Sequence, residues 1–305
     1  MSLNTNNFSS EIFTATDPFV AFLNARKHKL FYLRPYLGNA GDELIYLGAS
    51  QLLADLGIKT TVDPRLADVI LWPGGNPTMW ETNIEGWRET WNRFPNKEFA
   101  VAPATFQLGH FDWPSILKKE VIKLTGLFAR DAESYQNLKQ ARLPSTVTTG
   151  LSHDPALCLR DTEWMASHRK AATDEYVLLA FRSDHESKVS NAKSLKLALN
   201  CMPKWIAHRV SWRFSRQARA KKVKDIITTL PPASKVVDWD VSLTNFHIYL
   251  EAVRRASIVH TDRLHVMLLA AMLKKPVVAY QTSYGKLEAV FENSLKDWAQ
   301  VNFDG

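Results

Sequence analysis

The chain is poor in cysteine, in long apolar runs and in net charge outside one segment, and each shortage excludes something. Only two cysteines occur, Cys158 and Cys201, neither with a partner at metal-ligand or redox spacing. No disulfide framework or metal site is expected, and both read as reduced filler in a cytoplasmic protein. The longest apolar run, Val266–Leu273, is far too short to cross a bilayer. The first 29 residues contain no long apolar run behind a positive start, so no secretory leader is expected. With 46% hydrophobic and 23% charged residues, nothing in the composition suggests disorder or fibrous structure.

The 305 residues are enough for two domains. The net charge of +7 has a local source: Lys204–Lys224 holds eight basic residues and no acid, and the rest of the chain carries 30 basic and 31 acidic residues. A near-neutral protein with one basic segment is not a nucleic-acid coat, so no nucleic-acid partner is expected. In that segment Ile206, Val210, Phe214 and Ala218 recur at helical spacing with Trp205 and Trp212 nearby. Two readings stay open: a helix lying on an anionic membrane surface, or one packed on the domain with a solvated basic face.

From Leu30 onward short apolar runs alternate with helix-like stretches. Leu30–Arg34, Val69–Trp72, Glu98–Ala102 and Gly126–Ala129 read as strands, with an amphipathic helix from Asp42 to about Leu56. A polar stretch, Arg160–Asp174, reads as a linker. Tyr176–Phe181, Val236–Asp238, Ser257–His260 and Pro276–Tyr280 then resume the strands, with helices over Thr244–Arg255 and Asp262–Leu273. Such alternation predicts an α/β protein: two Rossmann-like doubly wound domains facing a cleft, residues 1–165 and 166–305, with residues 1–15 loosely packed. Ligands are expected at the carboxyl ends of strands.

Five segments at those ends can carry chemistry. Gly38-Asn39-Ala40-Gly41-Asp42 follows the first strand; its glycines allow close backbone approach, and Asp42 is either an ordinary helix cap or a base facing a hydroxyl. Gly74-Gly75-Asn76 opens space past the second strand, Asn76 offering both donor and acceptor. Arg130 ends a strand and suits a carboxylate or phosphate, the plainer alternative being a salt bridge to Asp131 or Glu133. His260-Thr261-Asp262-Arg263-Leu264-His265 joins a strand to a strongly apolar helix. With Thr261 or Asp262 as cap, Arg263 and His265 fall in the first turn, one a permanent charge and the other a proton carrier near neutral pH. Lys286 follows the next strand and is either a site cation or a solvated surface lysine.

Taken in order, Gly38–Asp42, Gly74–Asn76, Arg130–Ser134, Thr261–His265 and Lys286 resemble the polysaccharide pyruvyl transferase family, with Asp154-Pro155-Ala156 resembling a further element between the halves. Asn76 stands where a third glycine is common. The resemblance covers nearly all of the chain after residue 30. It implies a fold similar to glycosyltransferases of the B type and phosphoenolpyruvate as co-substrate, without cofactor or metal. The implied acceptor is a sugar of an exopolysaccharide or other surface glycan, lipid-linked at the inner leaflet of the plasma membrane; Lys204–Lys224 is no part of the family pattern, but its membrane-surface reading, a peripheral contact, would suit such an acceptor. It further implies an N-terminal acceptor side and a C-terminal donor side. His265 is then the acid and Asp42 the group that orients or deprotonates the acceptor hydroxyl. Arg263, Lys286 and Arg130 hold the donor, and Asn39, Gly74, Gly75, Asn76, Thr261 and Leu264 complete the binding surfaces. The competing reading is a nucleotide-sugar glycosyltransferase of the same architecture, and fold alone does not separate the two.

Overall fold

The structure is a computed structural model that describes residues 12–35, 38–77, 81–106, 123–169, 176–182, 204–281 and 285–304, with the side chains of 81–84 and 204–215 left aside. Cys201 and most of the expected loosely packed start lie outside the described residues; Cys158 is buried. The chain divides into two compact units. The first comprises residues 1–38, 42–163 and 292–294, and the second 39–41, 164–291 and 295–305.

The first unit holds a parallel sheet in chain order, β1 (Phe31–Leu33), β2 (Val69–Trp72), β3 (Glu98–Ala104), β4 (Lys123–Ala129) and β5 (Thr148–Leu151). Helix α1 (Pro18–Asn24), α2 (Ala40–Asp55), α3 (Glu81–Arg93) and α4 (Ala132–Gln140) accompany it. Side chains alternate across a strand, so β4 serves two cores. Phe128 meets Phe19 and Phe22 of α1, ring centroids 5.1 Å apart in both pairs. Leu127 and Ala129 join a cluster with Trp87 and Trp91 of α3 and Leu138 of α4. Two-faced burial of this kind is what makes parallel strands read as unbroken apolar runs.

The stretch read as a linker contains a helix, α5 (Glu163–His168), whose Met165 is buried. The second unit's parallel sheet consists of β6 (Tyr176–Ala180), β7 (Val236–Asp238), β8 (Ala256–Thr261), β9 (Val277–Tyr280) and β10 (Val301–Asp304). Its order is β10-β9-β8-β6-β7, so the chain steps from β6 to one side and then returns to build on the other. That reversal puts a topological switch point between β6 and β8, where open α/β sheets bind ligands. Among the described strands, the first sheet has no such reversal. Helix α6 (Lys204–Thr229) sets Val223 and Ile226 against Val177, Leu179 and Phe181. Helices α7 (Phe246–Arg254), α8 (Leu264–Met272) and α9 (Lys286–Ser294) complete the unit. Every residue of α8 except His265 is buried.

Candidate active site

In the first unit the glycines explain themselves through their neighbours. A Cβ on Gly38 would lie 1.9 Å from Oδ2 of Asp42, so the aspartate folds back over Gly38 and would have to turn away from any larger residue there. Of the two readings of Asp42, the helix cap does not hold. Helix α2 starts at Ala40, and the amide oxygen of Asn39 accepts from Gly41 N at 2.8 Å, which leaves Asp42 inside the first turn. Gly74 and Gly75 have φ of +128° and +87°, and a Cβ on Gly74 would come 2.8 Å from the Pro103 carbonyl. Gly75 packs beside Asp42, with its Cβ position 3.9 Å from Oδ1, and its carbonyl accepts from Thr105 N at 3.0 Å. The glycine pair thus runs close past the Asp42 carboxylate.

Arg130 behaves differently from expectation. It is fully buried, and its salt bridge runs to neither Asp131 nor Glu133. Nη1 pairs with Asp154 Oδ2 at 2.6 Å, Nη2 donates to Asn76 Oδ1 at 3.1 Å, and Nε donates to Thr105 Oγ1 at 3.0 Å. Asp131 instead caps α4, accepting from Ser134 N at 2.7 Å. Arg130 is therefore placed to orient Asn76 and to neutralise Asp154.

In the second unit the expected constellation gathers at the switch point. Thr261, the last residue of β8, donates from Oγ1 to the Ala180 carbonyl at 2.8 Å and accepts from Arg263 N at 2.9 Å. Asp262 Oδ1 accepts from Arg182 N at 2.8 Å. The ends of β6 and β8 are thereby stitched together. Burial pushes the Asp262 carboxyl up from its ordinary value, opposed by the nearby Lys222 charge and the Arg182 amide. Neither Thr261 nor Asp262 caps the helix: Arg263 occupies the cap position, and Leu264 and His265 open α8. Asp240, just past β7, accepts from Arg263 Nη2 and also binds Ser242 Oγ at 2.9 Å. The buried Tyr249 hydroxyl donates to the His265 carbonyl at 2.6 Å, fixing the first turn from below. The Leu264 side chain is buried, so that residue offers the site its backbone. Lys286 opens α9, one strand over, behind Gly285 at φ +64°.

The structure thus groups Asp42, Gly74, Gly75, Asn76 and Arg130 in the first unit and Thr261, Arg263, Leu264 and His265 in the second. Asp240 and Lys222 escaped the sequence reading. Asp240 lies two residues past the readable strand Val236–Asp238, but its pairing with Arg263 needs the strand order. Lys222 is hidden among the other basic residues of its segment.

These features define a two-unit α/β protein with a cationic, His-bearing helix start at a switch point. The chain belongs to the polysaccharide pyruvyl transferase family, whose profile matches residues 39–284. It is accordingly a transferase acting in polysaccharide pyruvylation. Comparison with curated proteins returns no significant match. Among solved structures, a functionally uncharacterised protein of Klebsiella pneumoniae is similar in fold, with a TM-score of 0.62 at 19% identity over 94% of this chain and 96% of its own. A UDP-GlcNAc 2-epimerase of Methanocaldococcus jannaschii follows at a TM-score of 0.38 and 14% identity, over 88% of this chain and 72% of its own. Anabaena HepE, solved with UDP and glucose, has a TM-score of 0.37 at 14% identity, over 85% of this chain and 82% of its own. Likeness at the level of the last two carries no functional argument. No helix among the described residues is long and apolar enough to cross a membrane.

Proposed function

We propose that the protein transfers pyruvate from phosphoenolpyruvate to a sugar of an exopolysaccharide or other surface glycan, forming a pyruvate ketal and releasing phosphate. One observation carries the donor assignment: Arg263 is held by Asp240 at the carboxyl end of β8, directly before the N-terminus of α8. A permanent cation beside a helix N-terminus at a switch point suits a phosphorylated, carboxylate-bearing donor. Lys286 supports the same reading. It opens α9 one strand over from Arg263, at the same carboxyl edge of the sheet.

The chemistry balances on two acceptor hydroxyls. Protonation at C3 of the enol generates a cation-like C2, which the first hydroxyl attacks. The C2–O bond to phosphate then breaks, and the second hydroxyl closes the ketal on C2. Of the two hydroxyl protons released, one replaces that given to C3 and the other leaves with phosphate. His265, in the first turn of α8, is the proton donor, and Asp42 orients or deprotonates the attacking hydroxyl. Arg263 and Lys286 hold the donor charge, and Gly74, Gly75, Asn76 and Asn39 shape the acceptor side. A lipid-linked acceptor, approached at the membrane surface, belongs to the same proposal.

The test is thermal stabilisation by phosphoenolpyruvate beside uridine and guanosine diphosphate sugars, each protein read from its own baseline. A ligand at a hundred times its Kd stabilises by about 2.7 kcal/mol. At about 2–4 °C per kcal/mol for a chain of this order, the shift is readable. Stabilisation by phosphoenolpyruvate, absent in Arg263→Ala, is the expected result. Stabilisation by a nucleotide sugar alone would make the protein a glycosyltransferase instead.

A further inference from the structure

The proposed donor carries a phosphate and a carboxylate, but one of the three cations expected to hold them, Arg130, is enclosed in the first unit. In the second unit another cation reaches the carboxyl edge of the sheet. Val223 and Ile226 dock α6 on the face formed by Val177, Leu179 and Phe181. Arg219, one turn before Val223, donates from Nε to the Phe181 carbonyl at 3.2 Å and pairs with Asp238 at the end of β7. These contacts fix the helix in height and rotation against the ends of β6 and β7.

Lys222 is thereby carried over the strand ends. Its Nζ stands 4.7 Å from the centroid of the Phe181 ring and 4.2 Å from that of Tyr280. Phe181 directly follows β6 and Tyr280 ends β9, the two strands that flank β8. Their rings meet edge to face at 5.4 Å. The Tyr280 hydroxyl is anchored in turn by His260 Nδ1 at 2.9 Å. The ammonium is thus held at the mouth of β8, beside Asp262 and the residues that present Arg263. Ring faces attract a cation through their quadrupole, so the two rings hold the ammonium at this edge of the sheet. A lysine that merely solvated the basic helix would point away from the sheet, as the exposed Lys221 and Lys224 do.

We infer that Lys222 is a donor-binding cation of the second unit, completing with Arg263 a site for an anionic enol phosphate at the β6–β8 switch point. This inference rests on the donor reading above. It gives part of the basic segment a role at the active site.

Titration calorimetry with phosphoenolpyruvate tests it. Lys222→Met, which keeps the stem packed on the rings, and Lys222→Gln should each weaken binding about ten- to a hundredfold, the loss of one charge-assisted contact. Lys222→Arg, which can also stack on both rings, should retain most of the affinity. Lys221→Met, on the exposed side of the same helix, should bind like the parent. Wild-type affinity in a folded Lys222→Met or Lys222→Gln overturns the inference while leaving the donor reading intact. No binding by the parent protein overturns the donor reading, and this inference with it.

Discussion

Arg130 places a permanent charge where water does not reach, and such a residue is tolerated only when every donor finds a partner. Here each of its three nitrogens has a partner, Nη1 in Asp154, Nη2 in Asn76 and Nε in Thr105. Removing one member leaves the other charge buried and uncompensated, at a cost of about 3–5 kcal/mol, whereas replacing both with apolar groups is often far milder. Arg130→Met should therefore lower the urea midpoint severely, and Arg130→Met with Asp154→Leu should recover much of the loss. If the double variant is no better than the single one, Asp154 is not what Arg130 neutralises. From the sequence, an arginine after an apolar run is visible, but a partner 24 positions away is not. The same holds for Arg263, whose place at a strand-to-helix junction was legible while its partner Asp240, 23 residues earlier, was not. Gly38 is the opposite case. Its nearness to Asp42 in the chain makes the motif readable, although only the 1.9 Å approach shows that glycine lets this aspartate fold back.

At the scale of elements, Glu98 joins three segments. The first residue of β3, it is buried and receives Arg26 at 3.1 Å, Lys29, and Lys123 of β4 at 3.6 Å. Burial pushes its carboxyl up, but the hydrogen bonds from Lys29 and Arg26 outweigh that, and the net shift is downward from 4.5. A carboxyl depressed in the folded state contributes stability above its unfolded value, lost as pH falls through the folded one. Glu98→Gln should consequently lower Tm near neutral pH, and the gap from the parent should close as the pH drops below about 4.5. A gap that stays constant down to pH 3 would mean that charge is not the contribution. The strands that sequence patterns missed, β5 and β10, are edge strands with polar residues, Thr148-Thr149-Gly150-Leu151 and Val301-Asn302-Phe303-Asp304. In these two the apolar run that marks the inner strands is broken by polar residues, whereas the edge strands β1 and β7 keep enough apolar residues to be read. The inner strand β2 matches its expected ends because Asp68 on one side and Pro73-Gly74 on the other bound it, and the short edge strand β7 matches as well.

For the whole molecule, alternation of strands and helices in the sequence was enough for two parallel α/β units, because that pattern admits few other folds. It could not say that one sheet runs in chain order while the other reverses, since order depends on which strands pair across long separations. That difference bears on function. The reversal lies in the unit that holds Arg263, His265 and Lys222, and Asp42 with its glycines lies in the other. Under the proposed chemistry the two units then have separable tasks, donor capture in the second and acceptor activation in the first. Asp42→Asn and His265→Ala should both leave phosphoenolpyruvate affinity near that of the parent. Both should cut phosphate release in the presence of isolated surface polysaccharide by about 10²–10⁴-fold, the usual worth of positioned acid–base groups. Arg263→Ala should lose donor affinity first. Because Asn39 caps the helix on which Asp42 sits, Asn39→Ala should fall between these cases, reducing turnover through a loosened first turn without touching donor affinity. A large loss of phosphoenolpyruvate binding in Asp42→Asn would contradict the division, placing the donor against the first unit's glycine loop and making Asp42 a donor-site residue.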